Sequence, residues 1–120
     1  EAVRAAVAAD EAGLIALYDA ALSANPSMAG QLQPLRDQHV QHARSLVPSG
    51  SASTNPSGAP ASGSALAAPT VSDLMAAEQT AAESRTRACA SAADVELARL
   101  LALIAASEAG HAQALRGAGA

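Results

Sequence analysis

The residues of this chain best suited to chemistry are histidines and glutamates at helical spacing. His39 and His42 are three residues apart, and so are Glu108 and His111. Residues three or four apart lie on one face of a helix, so each pair would aim two ligand groups in one direction. Imidazole and carboxylate together suit Fe, Mn, Zn or Cu(II). The spacing therefore predicts a transition-metal site.

These four residues occupy positions that the surrounding pattern reserves for apolar side chains. A stripe that advances by alternating steps of three and four faces the core of a helical bundle. We therefore expect the polar members of two such stripes to point inward. One stripe is Met28, Leu32, Leu35, His39, His42 and Leu46, and the other is Leu97, Leu101, Ile104, Glu108, His111 and Leu115.

Two further glutamates follow the same rule. Glu11 shares a stripe with Val7, Leu14, Tyr18 and Leu22, although an equally regular stripe would place Asp10 inward instead. Glu78 shares one with Val71, Leu74, Ala81 and Arg85. A buried carboxylate without a partner is neutralised by a raised pKa, so three inward glutamates indicate that cations lie nearby.

The elements that must position these residues are helices. Half of the residues are apolar, Phe and Trp are absent, and Tyr18 is the only aromatic residue. Sheets draw on β-branched and aromatic residues, whereas Ala, Leu, Glu, Arg and Gln favour helices. The composition predicts an all-α fold in a single domain spanning residues 1–120. The helices are expected at 2–24, 27–47, 71–90 and 92–116.

Local signals mark the ends of these segments. Asn25-Pro26 interrupts the first half, because the residue before proline avoids the helical region. Thr70 with Asp73 and Ser91 with Asp94 have the spacing of capping boxes. Residues 48–70, rich in Ser, Gly, Pro and Ala, are typical of a flexible linker. The result is a four-helix bundle of two antiparallel hairpins, whose linker is long enough either to return to the same end or to cross the whole bundle.

At this point the sequence resembles the ferritin-like superfamily. In its di-metal members, two helices each give one Glu and the other two each give Glu-x-x-His. Glu11 and Glu78 match the single glutamates, and Glu108 with His111 matches one Glu-x-x-His, while His39 replaces the Glu of the other. The resemblance implies a metal site of Glu11, His39, His42, Glu78, Glu108 and His111 for one or two ions of Fe, Zn, Cu or Mn.

The stretches 11–18 and 107–115 are similar to small actinobacterial ferritin-like proteins of unknown function, often exported lipoproteins. That similarity implies an extracytoplasmic or cell-surface location. The chain begins at Glu1 rather than Met, and we expect a processed or trimmed form, so that any signal peptide or lipid anchor would lie upstream.

The leading functional hypothesis is a protein that stores, buffers or oxidises a transition metal, and whether it is an enzyme is left open. A second hypothesis is a non-catalytic interaction or scaffold domain. In that case His39 and His42 hydrogen-bond to Glu11 or Glu108, and Glu78 pairs with an arginine. A third is a helical domain that binds a small apolar ligand. Tyr18 and Cys89 are expected to be core residues.

Charge and composition narrow the partners. The net charge is −4 and every basic side chain is Arg, so no basic cluster is present to bind nucleic acid. No run approaches the roughly 20 apolar residues that span a bilayer, and a single cysteine cannot form an internal disulfide. An alanine-rich core buries little area per residue. We therefore expect a bound metal, a homodimer interface or both to add stability.

Overall fold

The computed structural model describes residues 1–47 and 67–118, and within these ranges the secondary structure is helical, without a strand. This confirms the all-α prediction. The linker expected at 48–70 lies largely outside the described residues. The helices are α1 (Ala2–Ala24), α2 (Ala29–Leu46), α3 (Val71–Ala90) and α4 (Val95–Ala118), with a short 3-10 helix at Pro26–Met28.

The first turn lies at the proline, as the sequence predicts, but α2 begins at Ala29 rather than at residue 27. Asn25 has φ −142° and ψ 74°, outside the helical region that a following proline disfavours. Pro26 then starts the 3-10 helix, a position at which the N–H that proline lacks would have no partner within the helix. The N–H of Ala29 donates to the carbonyl of Pro26, so the chain makes one tight turn before the α-helix starts.

The predicted capping box at the start of α3 is present. Thr70 Oγ1 accepts from the Asp73 N–H at 3.1 Å, and Asp73 Oδ2 accepts from the Thr70 N–H at 2.8 Å. Each side chain thus satisfies a backbone donor that the first helical turn leaves free.

The predicted cap at Ser91 was wrong. α4 begins at Val95, and Asp94 Oδ1 accepts from the Leu97 N–H at 2.7 Å. The Ser91 hydroxyl instead donates to the Arg87 carbonyl at 2.9 Å, at the end of α3. The carboxylate of Asp94 therefore caps α4, and the helix starts three residues later than expected.

Two apolar clusters pack the ends of this bundle-like arrangement. The first cluster is Val7, Leu46, Leu97, Leu101 and Ile104. The second cluster is Tyr18, Ala21, Leu32, Leu74 and Leu115. α1 contacts α2 and α3, and α4 contacts α3 and α2.

The membership of the two clusters gives the helix directions. Leu32 and Leu74, near the starts of α2 and α3, lie in the second cluster, whereas Leu46 and the partly buried Ala88, near the ends of these helices, lie in the first. α2 and α3 therefore run parallel, and each is antiparallel to α1 and α4. The end of α2 and the start of α3 lie at opposite ends of the arrangement, which excludes the same-end return that the sequence left open.

Between the two apolar clusters lies a polar layer, to which every helix contributes. Its members are Glu11 from α1, His39 from α2, Glu78 and Arg85 from α3, and Glu108 and His111 from α4, all of them buried. Among the described helices, none is both long and apolar enough to cross a membrane.

Candidate metal centre

Five of the six residues predicted as metal ligands lie in this polar layer, and His42 adjoins it. Four of them, Glu11, His39, Glu78 and Glu108, are fully buried at 0% exposure. His111 is 3% exposed, and the side chain of His42 is 14% exposed. We call Glu11, His39, His42, Glu78, Glu108, His111 and the buried Arg85 the central cluster.

His39 lies at the middle of the central cluster. Its Nδ1 is 2.8 Å from Glu11 Oε2, and its Nε2 is 2.6 Å from Glu78 Oε1. Both nitrogens face carboxylate oxygens, which only accept, so without a metal each nitrogen carries a proton and donates it. Burial alone would lower the pKa of His39, but hydrogen bonds to Glu11 and Glu78 raise it to about 9.

Glu78 is held by three donors. Its Oε1 accepts from Tyr18 at 2.5 Å, from His39 at 2.6 Å and from His111 Nδ1 at 3.2 Å. Burial opposes the charge of Glu78, but the hydrogen bonds from His111 and His39 lower its pKa to about 2. Burial and the charge of Glu78 together raise the pKa of Tyr18. Tyr18 is therefore a core residue, as expected, and also orients Glu78.

Glu11 is the anion on the other side of His39. Its Oε2 accepts from His39 and lies 3.4 Å from His42 Nδ1. Burial again opposes the charge, but the hydrogen bond with His39 and the close contact of His42 lower the pKa of Glu11. The alternative residue Asp10 has a side chain 58% exposed, so the structure selects the Glu11 stripe.

The donor atoms form two groups with the spacing of a metal site. The first triad is Glu11, His39 and His42, and the second triad is His39, Glu78 and His111; within each, the donor atoms lie within 4.8 Å of one another. A tetrahedral ion with bonds of about 2.1 Å separates its ligands by about 3.4 Å. The contacts here range from 2.6 to 3.4 Å.

Uncommitted donors support this fit. Among the described residues, Glu78 Oε2 and His42 Nδ1 are buried without a hydrogen-bond partner, and so, beside Nε and Nη2 of Arg85, are Glu11 Oε1 and both carboxylate oxygens of Glu108. A buried polar atom without a partner is costly, and a metal ion would use Glu78 Oε2 and His42 Nδ1. Both triads therefore fit an ion after the contacting side chains open by less than about 1 Å.

Glu108 and His111 point to different partners, although they form the one intact Glu-x-x-His motif. Glu108 Oε1 lies 3.5 Å from Arg85 Nε, while His111 contacts Glu78. Burial and the neighbouring Glu11 raise the pKa of Glu108 to about 9, against the effect of Arg85. Glu108 is thus favoured in its protonated form, and it belongs to neither triad.

Arg85 supplies the positive charge in this part of the central cluster. Its side chain is 1% exposed, and its Nη1 donates to Asp10 Oδ2 at 3.0 Å. Its Nη2 lies 3.6 Å from Glu11 Oε1. The seam pattern predicts that Arg85 faces inward, but not that it pairs with Asp10, Glu11 and Glu108. Glu78, which the sequence could have paired with an arginine, contacts Tyr18 and two histidines instead.

Sequence reasoning missed two residues beside His111. Gln38 Oε1 lies 2.8 Å from His111 Nε2, and Ser107 Oγ lies 3.3 Å from the same nitrogen. Ser107 is one helical turn before His111, a spacing that could have indicated it. Gln38 lies beside the stripe, so no periodic signal marks it. Cys89 lies apart from this site, partly buried against the first apolar cluster.

Comparisons of the chain with protein-family models, with curated proteins and with solved structures found no significant match. The resemblance to ferritin-like proteins stays a prediction that rests on the residues themselves.

Proposed function

We propose that the chain is a ferritin-like four-helix bundle that binds a transition metal in the central cluster for storage, buffering or oxidation. The observation that carries this proposal is the pair of buried His/Glu triads that share His39. Mixed imidazole and carboxylate donors suit Fe, Zn, Cu or Mn. The homodimer and the extracytoplasmic location stay predictions.

Each residue has a role that follows from its position. Glu11 and Glu78 supply buried negative charge, and three histidines supply nitrogen donors. Tyr18 and Gln38 orient Glu78 and His111 through hydrogen bonds, as outer partners of metal ligands commonly do. The two apolar clusters limit access of water from both ends. A bound metal would supply Lewis acidity and, for Fe or Cu, a redox couple.

Two groups in the central cluster must lose protons for a metal to bind. His39 donates from both nitrogens, and His111 donates from Nδ1 to Glu78. Metal ligands must be deprotonated, so metal binding releases protons. The charge of the ion then replaces the charge of the protons.

Metal analysis of protein purified without a His tag tests this proposal. After exposure to Zn(II) or Fe(II) and removal of loose metal, we expect at least one ion per chain. The double variant Glu11→Gln/Glu78→Gln should retain none, while Glu83→Gln, an exposed change on α3, should bind as the natural sequence does. Absence of retained metal in the natural sequence would overturn the proposal. Oxygen uptake with Fe(II) then separates an oxidase from a storage site.

Arg85 favours a second candidate, the scaffold domain with a metal-free polar core. With Glu108 protonated, the negative charges of Glu11 and Glu78 are balanced by Arg85 and the doubly protonated His39. These four charges then balance without any ion, and the central cluster would serve to hold the helices in register.

The variant Arg85→Met separates the two candidates. Removing one partner of a buried charge pair destabilises a protein by about 3–5 kcal/mol, so both candidates expect a lower melting temperature without metal. Only the metal-binding proposal expects added Zn(II) to restore it, because an ion can replace the lost positive charge beside Glu11. A melting temperature indifferent to Zn(II) favours the scaffold.

A further inference from the structure

His39 presents its two ring nitrogens to two separate donor groups. Nδ1 faces Glu11 of α1 at 2.8 Å, and Nε2 faces Glu78 of α3 at 2.6 Å. A further histidine adjoins each carboxylate: His42 Nδ1 lies 3.4 Å from Glu11 Oε2, and His111 Nδ1 lies 3.2 Å from Glu78 Oε1. The shared residue of the two triads therefore takes part in each through a different nitrogen.

One ion cannot use both nitrogens of one imidazole, because their lone pairs point away from each other. We infer that His39 bridges two metal ions as an imidazolate, one ion in each triad, an inference that rests on the proposed function. Without metal, His39 carries a proton on each nitrogen. Both protons, and the Nδ1 proton that His111 donates to Glu78, leave to solvent as two divalent ions bind, each nitrogen of His39 gives its lone pair to one ion, and nothing is oxidised or reduced.

The placement of Glu108 supports this bridge over a carboxylate bridge. Glu108 lies 3.5 Å from Arg85 and in neither triad, and His39 stands where the resemblance implies the Glu of the second Glu-x-x-His. Two ions in a closely spaced site are about 3.5–4 Å apart. Across an imidazole, with metal–nitrogen bonds of about 2.0–2.1 Å, they are about 6 Å apart. The metal–metal distance therefore distinguishes the two arrangements.

Copper(II) titration of the full chain without a tag tests the inference. We expect two Cu(II) per chain at saturation and an electron paramagnetic resonance signal well below two spins per chain at low temperature, because an imidazolate couples the two spins. X-ray absorption should place the copper ions about 6 Å apart.

Single-histidine variants assign each ion. His42→Ala and His111→Ala should each bind one Cu(II) per chain, with a single-ion signal that accounts for all bound copper. Gln41→Ala, an exposed change next to His42, should keep two coupled ions. Circular dichroism confirms that each variant is folded, and the partly exposed His42 is the position at which a change is least disruptive.

Three results would overturn the bridge while leaving metal binding intact: one Cu(II) per chain in the natural sequence, two ions about 3.5–4 Å apart, or two ions whose spins are fully uncoupled. Retention of no copper, zinc or iron by the natural sequence would overturn the proposed function as well.

Discussion

At the scale of single residues, the central cluster depends on groups that share atoms. Glu78 Oε1 is contacted by Tyr18, His39 and His111, and each of these contacts joins different helices. Because residues in one network act as a unit, a change at Glu78 alters the environment of the others. Substitutions here should therefore affect both stability and metal binding.

Glu78→Gln should reduce both properties. Glutamine keeps the size of the side chain but removes the charge that pairs with His39, and breaking a buried pair destabilises by about 3–5 kcal/mol. Zinc affinity should fall by at least tenfold to hundredfold, which is the loss usually seen when only a hydrogen-bond partner of a metal ligand is removed. Urea unfolding and calorimetric Zn(II) titration measure the two effects. The exposed Glu83→Gln is the control, and equal zinc affinity in both variants would contradict this role.

Tyr18→Phe tests the outer partner of Glu78. The ring stays in the second apolar cluster, but the hydroxyl that donates to Glu78 Oε1 is lost. We expect about 1 kcal/mol less stability without metal and about tenfold weaker zinc binding, with the number of bound ions unchanged. Ser45→Ala, which removes an exposed hydroxyl bonded to the Gln41 carbonyl, should change neither. An unaltered zinc affinity in Tyr18→Phe would show that Tyr18 only packs.

At the scale of secondary-structure elements, caps mark where two of the helices that carry the polar layer begin. The capping box of Thr70 and Asp73 begins α3 two turns before Glu78, and Asp94 begins α4. A cap satisfies backbone donors in the first turn. The caps therefore stabilise the first turns of the two helices that carry Glu78 and Glu108.

Asp94→Ala should lower stability by about 1 kcal/mol, because the Leu97 N–H loses its acceptor. Ser91→Ala, in the residue that the sequence pattern favoured as the cap, should cost less, since its hydroxyl only donates to the Arg87 carbonyl at the end of α3. Chemical unfolding of the two variants compares them directly. A larger loss from Ser91→Ala would mean that α4 begins earlier than the structure shows.

At the scale of the whole molecule, a polar layer separates two apolar clusters. The layer holds three carboxylates with raised or lowered pKa values, and a histidine whose pKa is raised. A pKa that differs between folded and unfolded chains makes stability depend on pH. The folding stability of the protein should therefore depend on pH through several groups of this layer.

Without metal, the melting temperature should fall as pH rises from about 6 to 9. The pKa of His39 is raised from 6.5 to about 9 in the folded chain. The stabilising effect of His39 is therefore complete below pH 6.5 and is lost as pH rises through 9. The pKa of Glu108 is raised from 4.5 to about 9. The folded chain therefore keeps a proton on Glu108 that the unfolded chain releases, so stability also falls as pH rises over this range. The pKa of Glu78 is lowered to about 2, so the stabilising effect of its charge is lost only as pH falls below 4.5.

Zinc affinity should change in the opposite direction and rise over the same range, because His39 then loses its protons more readily. Thermal unfolding at several pH values, with and without Zn(II), measures both trends. Glu108→Gln should flatten the decline seen without metal. A metal-free melting temperature that is constant from pH 6 to 9 would contradict the protonation of His39 and Glu108 described here.

Much of the fold and the set of inward-facing polar residues followed from periodicity. The spacing of side chains along a helix is constant, so all members of the α4 stripe from Leu97 to Leu115 are buried as expected. Periodicity could not decide which of two stripes in α1 faces inward, because Asp10 and Glu11 are adjacent and both patterns are regular. Packing decided between them, since Asp10 reaches Arg85 from the rim while Glu11 lies inside.

The sequence by itself determined that the chain is helical, and it placed His39, Glu78 and His111 on inward faces, because these properties depend only on local geometry. Tertiary structure alone decided that α2 and α3 are parallel, and that His39 joins Glu11 to Glu78 across separations of 28 and 39 residues. It also decided that Glu108 faces Arg85. Such contacts depend on how four helices are rotated and aligned against one another, and a period along one helix carries no information about its neighbours.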